Sequence, residues 1–187
     1  MNTKQSLKKE ERVFLLNLAR SVIGAKASGE SFEPDSIDSE ILNTDCGAFV
    51  TLNSNNELRG CIGYVEGIMP LQKAVCEMAE AAAFDDPRFP AVKKDEVDDL
   101  EIEISVLSPL REINDISEIE VGMHGLIVQQ TFYKGLLLPQ VATEYGWDRE
   151  TFLEHTCVKA GLSKNAWKDE ASTIKIFSAE IFSDKDL

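Results

Sequence analysis

Apolar residues recur along this chain with two distinct periods. From about Lys9 to Ala27, Leu15, Leu18, Ala19, Val22 and Ile23 return at helical spacing, which predicts an amphipathic helix. Ser28 to Asp38 is polar, contains Pro34 and reads as a loop. The period then shortens to two. Ala48, Val50 and Leu52 alternate with Phe49 and Thr51 across Gly47 to Asn53, a strand. Ser54-Asn55-Asn56 supplies turn residues and a strand carrying Leu58 to Gly63 follows at once, so the two predict an antiparallel hairpin.

Pro70 stands where a helix can begin, since its missing N–H costs nothing in the first turn. Leu71, Ala74, Val75, Met78, Ala79 and Ala82 mark that helix, and the two prolines of Asp85-Asp86-Pro87-Arg88-Phe89-Pro90 stop it. Leu100 to Leu107 alternates cleanly, with Leu100, Ile102, Ile104 and Val106 inward and a solvated outer face of Glu101, Glu103 and Ser105. A second hairpin is predicted from Gly125 to Gln129 and Tyr133 to Leu138. A short helix follows from about Pro139 to Tyr145, ending near Gly146. Asp148 can cap the next helix, which carries Phe152, Leu153, Thr156, Cys157 and Ala160 and stops at Gly161. The imperfect alternation of Ser172 to Phe182 predicts a terminal strand with a bulge. Helices and hairpins without regular βαβ alternation give an α+β class, a mainly antiparallel sheet flanked by helices. No repeat, low-complexity stretch or linker divides the chain, so residues 1–187 read as one domain with an ordered core over about 9–182.

Composition narrows the picture. With 187 residues, 43% hydrophobic and 28% charged, the chain has the make-up and length of a globular protein with a substantial core. The net charge of -14, from 33 acidic and 19 basic residues, argues against nucleic acid, whose phosphates demand basic surface. Met1 to Glu11 lacks the apolar run of a secretory signal, and no segment has the length of a membrane span. The four cysteines, Cys46, Cys61, Cys76 and Cys157, form no CxxC pair and no cluster motif. The expectation is reduced thiols in a cytoplasmic protein, with no metal and no cofactor.

The most distinctive run is Leu58-Arg59-Gly60-Cys61-Ile62-Gly63. Strict alternation would put Leu58, Ile62 and Tyr64 on one face and Arg59, Cys61 and Val65 on the other, so that a cation and a thiol project together. Gly60 and Gly63 would let a backbone or a ligand approach closely. Two readings of Cys61 stand: a nucleophile or redox thiol assisted by Arg59, or a small residue chosen for packing. Only two histidines can serve as base. His124, in a glycine-flanked approach to a strand, is the better candidate, against a structural hydrogen bond. His155 lies off the centre of its helix's apolar stripe and reads as structural or exposed. Cys157 reads as core and Cys76 as partly exposed. Arg88, stiffened by neighbouring prolines, could hold a carboxylate or phosphate, or pair with one of the chain's own acids. Gln140 could present its amide to the same cleft or cap its own helix.

Leu58-Arg59-Gly60-Cys61-Ile62-Gly63 matches the hallmark motif of the AMMECR domain family. Asp86-Pro87-Arg88-Phe89, Ser105-Val106-Leu107-Ser108-Pro109, His124-Gly125-Leu126, Leu137-Leu138-Pro139-Gln140-Val141-Ala142 and the stretch from Trp147 to Trp167 follow in the family's order. The resemblance runs from about Lys9 to the C-terminus. It implies an α+β architecture with a larger and a smaller subdomain packed as one unit. It implies no established biochemical activity. Bacterial and archaeal members resemble component A of the AmmeMemoRadiSam system, beside a Memo-type protein and a radical SAM protein as partners. Two functions follow as expectations. One is an accessory component that binds a small ligand or partner segment through the Arg59/Cys61 face, with Gly60, Gly63, Arg88 and Gln140 contributing. The other is an enzyme using Cys61 as nucleophile or redox centre, with Arg59 stabilising the thiolate or an anionic substrate and His124 as the candidate base. The scarcity of histidine favours the first.

Overall fold

The computed structural model describes residues 6–186; the start of the polar N-terminal segment, Met1 to Gln5, lies outside the described residues. The chain forms two compact units. The first holds the described residues up to 107 together with those from 180 onward, and the second holds residues 108–179.

In the first unit, helix α1 (Lys9–Ala27) is followed by strands β1 (Gly47–Ser54) and β2 (Glu57–Tyr64), helix α2 (Leu71–Phe84) and strand β3 (Glu101–Leu107). β1 lies between β2 and β3 and pairs antiparallel with both, placing Val50 opposite Ile62 on one side and Ile104 on the other. Val50, Leu52, Ile102 and Ile104 are fully buried with Leu15 and Ile23 of α1 and Leu71 and Val75 of α2. The core face is thus the one the alternation identified. Asn55 and Asn56 both adopt positive φ, 53° and 64°, the backbone of a two-residue type I′ turn that suits the twist of a hairpin. Pro70 stands one residue before α2 rather than at its first position.

Three features of this unit were not announced by the period of the chain. A 3₁₀ turn, Lys94–Asp99, occupies a stretch with no apolar period to announce it. The outer face of β3 is not solvated along its length: Ser105 is only 2% exposed. Phe49 stands opposite Ser105 in the sheet and opposite Gly63 on the other side, where its ring fills the space a Cβ would need, so an aromatic covers this face. A bulge lies in β2, where the sequence announced none. Leu52 pairs with Gly60 but Asn53 pairs with Leu58, leaving Arg59 as the extra residue.

The second unit contains β4 (Arg111–Ile113), β5 (His124–Gln130), β6 (Tyr133–Leu137), the short helix α3 (Pro139–Glu144), α4 (Arg149–Lys159) and most of β7 (Thr173–Ser183). β5 pairs antiparallel with β6 and β7, and β4 joins the other edge of β7. From Thr173 to Ser178 the pairing of β7 with β5 has no register shift. The uneven alternation there arises because Phe177, on the face opposite Ile176, is buried too, with its ring over Gly125. Phe152, Leu153 and Cys157 of α4 pack with Leu126, Val128, Ile174 and Ile176. The Asp148 side chain accepts the Thr151 N–H at 2.8 Å, and Gly161 at φ 78° ends the helix, both as the sequence predicts.

Candidate functional site

Leu58 to Gly63 lies within β2, an edge strand paired on one side with β1. The bulge sets the geometry of the site. Beyond it, Cys61 stands opposite Thr51, whose hydroxyl donates to Sγ at 3.3 Å. At the bulge Arg59 turns away from that face and reaches the segment after α2. Its Nε and Nη2 donate to the two carboxylate oxygens of Glu96 at 3.1 and 3.3 Å, and Nη1 donates to the Pro90 carbonyl at 2.9 Å. The guanidinium expected beside the thiol is therefore engaged elsewhere and only 13% exposed. Arg59 and the Lys93 N–H together hold the Glu96 carboxyl below its ordinary value.

The segment answers with contacts in the opposite direction. The Asp86 carboxylate, 4% exposed, accepts the Cys61 backbone N–H at 2.9 Å, the Arg88 N–H at 3.1 Å and the Arg88 guanidinium at 2.9 and 2.6 Å. Arg88 Nη2 also donates to the Cys61 carbonyl at 3.3 Å. Asp86 and Arg88 thus meet both backbone groups of Cys61, as a neighbouring strand would, and close the sheet edge there. The Arg88 guanidinium, followed by the N–H groups of Cys61 and Arg88, holds the Asp86 carboxyl far below the usual carboxylate range against the opposing effect of burial. Of the alternatives for Arg88, the pairing with an acid of its own chain is the one found.

The two glycines are accounted for by the fold itself. A Cβ at Gly60 would sit 2.1 Å from the Ala82 carbonyl oxygen of α2, and one at Gly63 would sit 2.3 Å from the Phe49 ring. Gly60 permits helix–strand contact and Gly63 seats an aromatic.

The other candidates lie in the second unit. His124 opens β5, and its Nδ1 accepts the Glu120 N–H at 3.1 Å, a local structural bond. Gln140, in the first turn of α3, gives no side-chain cap; its Oε1 is buried and accepts no hydrogen bond among the described residues. His155 is exposed and stacks on Trp147 at 3.9 Å, and Trp147 stacks on Tyr145 at 5.0 Å. Cys157 is fully buried in the core. The structure thus brings Arg59, Gly60, Cys61, Gly63 and Arg88 together around β2, and places His124 and Gln140 in a different unit.

Sequence reasoning missed Asp86 and Glu96, which organise the site, and two cavities in the first unit. These cavities, of about 420 and 290 Å³, lie along α1 and α2 under the segment that follows α1, and both are lined by Pro34 and Cys76. Burial, with Glu77 adding to it, pushes the Cys76 thiol up to about 11, so it stays protonated at neutral pH. Among the described residues no three His, Cys, Asp or Glu side chains group as a metal would require. No helix among them is long and apolar enough to cross a membrane.

The model of the AMMECR1 family matches residues 16–182. Protein MJ0810 of Methanocaldococcus jannaschii is 44% identical over 181 residues, spanning 92% of this chain and 90% of that protein. Protein PYRAB00100 of Pyrococcus abyssi is 45% identical over 190 residues, spanning 96% and 93%. The crystal structure of the uncharacterized protein PH0010 from Pyrococcus horikoshii superimposes with a TM-score of 0.87 at 45% identity, covering 95% of this chain and 93% of that one.

Proposed function

This chain belongs to the AMMECR1 family, and on that premise we propose that it acts as a binding component and not as a self-contained cysteine enzyme. The recognition surface is the Cys61 face of β2, with Thr51 and Phe49 beside it on β1. One observation carries the reading: both arginines of the site already have carboxylate partners, Arg59 with Glu96 and Arg88 with Asp86. The Asp86–Arg88 pair fixes the Cys61 backbone, Arg59 is held away from the thiol, and the thiol is bonded to a hydroxyl, where a nucleophile would need a base. A fixed, half-exposed strand face with a small polar group suits recognition, because little order is lost on binding.

The resemblance to component A of the AmmeMemoRadiSam system supplies the partners: a Memo-type protein and a radical SAM protein, acting in the cytoplasm. This sequence has no cluster motif, so radical chemistry belongs to the partner. Titration of the purified chain with each of these proteins by calorimetry tests the reading. Binding that survives Cys61→Ser and is lost in Cys61→Trp supports a recognition face. Absence of binding to either protein overturns the partner assignment. Binding intact in Cys61→Ser while the joint reaction stops returns Cys61 to catalysis.

A further inference from the structure

Strand pairing builds a row of three polar side chains across the outer face of the first unit's sheet. Thr51 of β1 stands opposite Cys61 of β2 on one side and opposite Glu103 of β3 on the other. Directly opposed residues project from the same face, with Cβ atoms about 4.5–5.5 Å apart. Thiol, hydroxyl and carboxylate therefore lie in line, and all three residues are half-buried. The adjoining row is Gly63, Phe49 and Ser105. Gly63 brings no side chain, so the Phe49 ring lies over it, two residues along the strand from Cys61.

The charge of this face follows from the same contacts. The two cations that the sequence brings near it are engaged elsewhere: Arg59 leaves the face at the bulge and bonds Glu96, and Arg88 is neutralised by Asp86. What the row presents is acceptor chemistry. An ionised Glu103 only accepts, and the Thr51 hydroxyl, having donated its proton to Sγ, keeps its lone pairs for a donor. The face of the Phe49 ring attracts cations through its quadrupole. A phosphate or carboxylate would meet Glu103 here without a guanidinium to offset the repulsion.

We propose that this face seats a basic side chain, lysine or arginine, carried by a segment of a partner protein, with Glu103 as the residue that sets the preference for positive charge. The inference rests on the reading of the Cys61 face as a recognition surface. Glu103 already takes part in an interaction, and its two oxygens accept several bonds, so the incoming cation adds to the contact it has. The net charge of -14 draws a basic partner towards the chain. The occupant is a side chain on a larger partner and not a free amine. Neither cavity of the first unit reaches these residues, and a small molecule on a strand surface buries too little to offset its lost freedom.

Two thiol reagents of opposite charge test this on the full chain: trimethylammonium-ethyl and sulfonatoethyl methanethiosulfonate. Their rates at native Cys61, read by peptide mass spectrometry in low salt, give a ratio of cation to anion. That ratio should be higher in the native protein than in the unfolded chain. Glu103→Gln should lower it about threefold and Glu103→Lys about tenfold, as one and two unit charges roughly 10 Å away in water would. Glu10→Gln, on the helix packed against the opposite face, should move it far less, and about 1 M salt should erase the difference. Circular dichroism confirms folding, and if one Glu103 variant unfolds, the other decides. A native ratio no higher than the unfolded one, a ratio indifferent to Glu103, or a native Cys61 that neither reagent reaches would each overturn the proposal. So would protection of Cys61 by n-butylammonium at about 1 mM, which would assign the face to a free amine. Equal reaction with both reagents leaves the face open to an uncharged partner group, so the recognition reading stands where this one falls. No partner protein enters the test, and its outcome is independent of whether the Memo-type or the radical SAM protein binds.

Discussion

Replacing Asp86 by alanine removes the acceptor for three groups at once: the Cys61 N–H, the Arg88 N–H and the Arg88 guanidinium. Their costs are unequal. An amide left without a partner on a partly covered strand edge costs about 1–3 kcal/mol. The Arg88 side chain is 53% exposed and regains water, so its lost ion pair adds no more than about 1 kcal/mol. The expected loss is about 2–4 kcal/mol, which at a urea dependence of about 3 kcal/mol/M lowers the unfolding midpoint by about 1 M. Arg88→Ala leaves Asp86 with its backbone donors and should cost only about 1 kcal/mol. Amide exchange followed by NMR should also show the Cys61 N–H opening faster in Asp86→Ala, while the β1–β3 ladder keeps its protection. An Asp86→Ala chain within about 0.5 kcal/mol of the wild type, or an Arg88→Ala chain as unstable as Asp86→Ala, would refute the hierarchy in which the buried carboxylate organises the edge.

Further outcomes follow from the same contacts. Asp86 and Glu96 have carboxyl pKa values depressed in the folded state, so their contribution is present above the unfolded values of about 4 and is lost as pH falls below them; urea titrations from pH 6 to about pH 2.5 should show that loss, with a shallower slope in Asp86→Asn. Gly60→Ala drives a methyl group into the Ala82 carbonyl and should destabilise by about 3 kcal/mol or more, read as a drop in Tm; an unchanged Tm would mean that α2 can shift away freely. Thr131 adopts a left-handed φ of 53° in the turn between β5 and β6, so Thr131→Gly relieves strain and should raise stability by about 0.5–1 kcal/mol in urea titration, whereas a loss would show that the turn is unstrained.

The elements were legible because each announces itself locally. The apolar face of α1, the Asp148 cap, the two asparagines of the first turn and the clean period of β3 all lie within a few residues of the features they determine. The candidate site was legible only in part. Arg59, Cys61 and Arg88 do gather, yet their relations depend on where strands meet. The bulge at Arg59 is a property of the β1–β2 register, invisible in β2 alone, and it removes the guanidinium from the thiol's face. Glu96 lies 37 residues beyond Arg59, in a turn without an apolar period. Asp86 was in view as part of a proline-bounded segment, but its burial follows from contact with a strand 25 residues away. The clefts beside Cys76 form only when the Pro34 segment lies across two helices. Local chemistry reveals elements, and long-range pairing decides what their side chains do.

Alkylation of native Cys61 by iodoacetamide at neutral pH, compared with the same residue in the unfolded chain and read by peptide mass spectrometry, tests the central claim most directly. A thiol half-covered on a rigid strand and bonded to the Thr51 hydroxyl should react more slowly in the native protein than in the unfolded chain. Native Cys61 reacting faster than the unfolded reference would mean an activated thiolate, contradict the binding-component account and make this chain a cysteine enzyme.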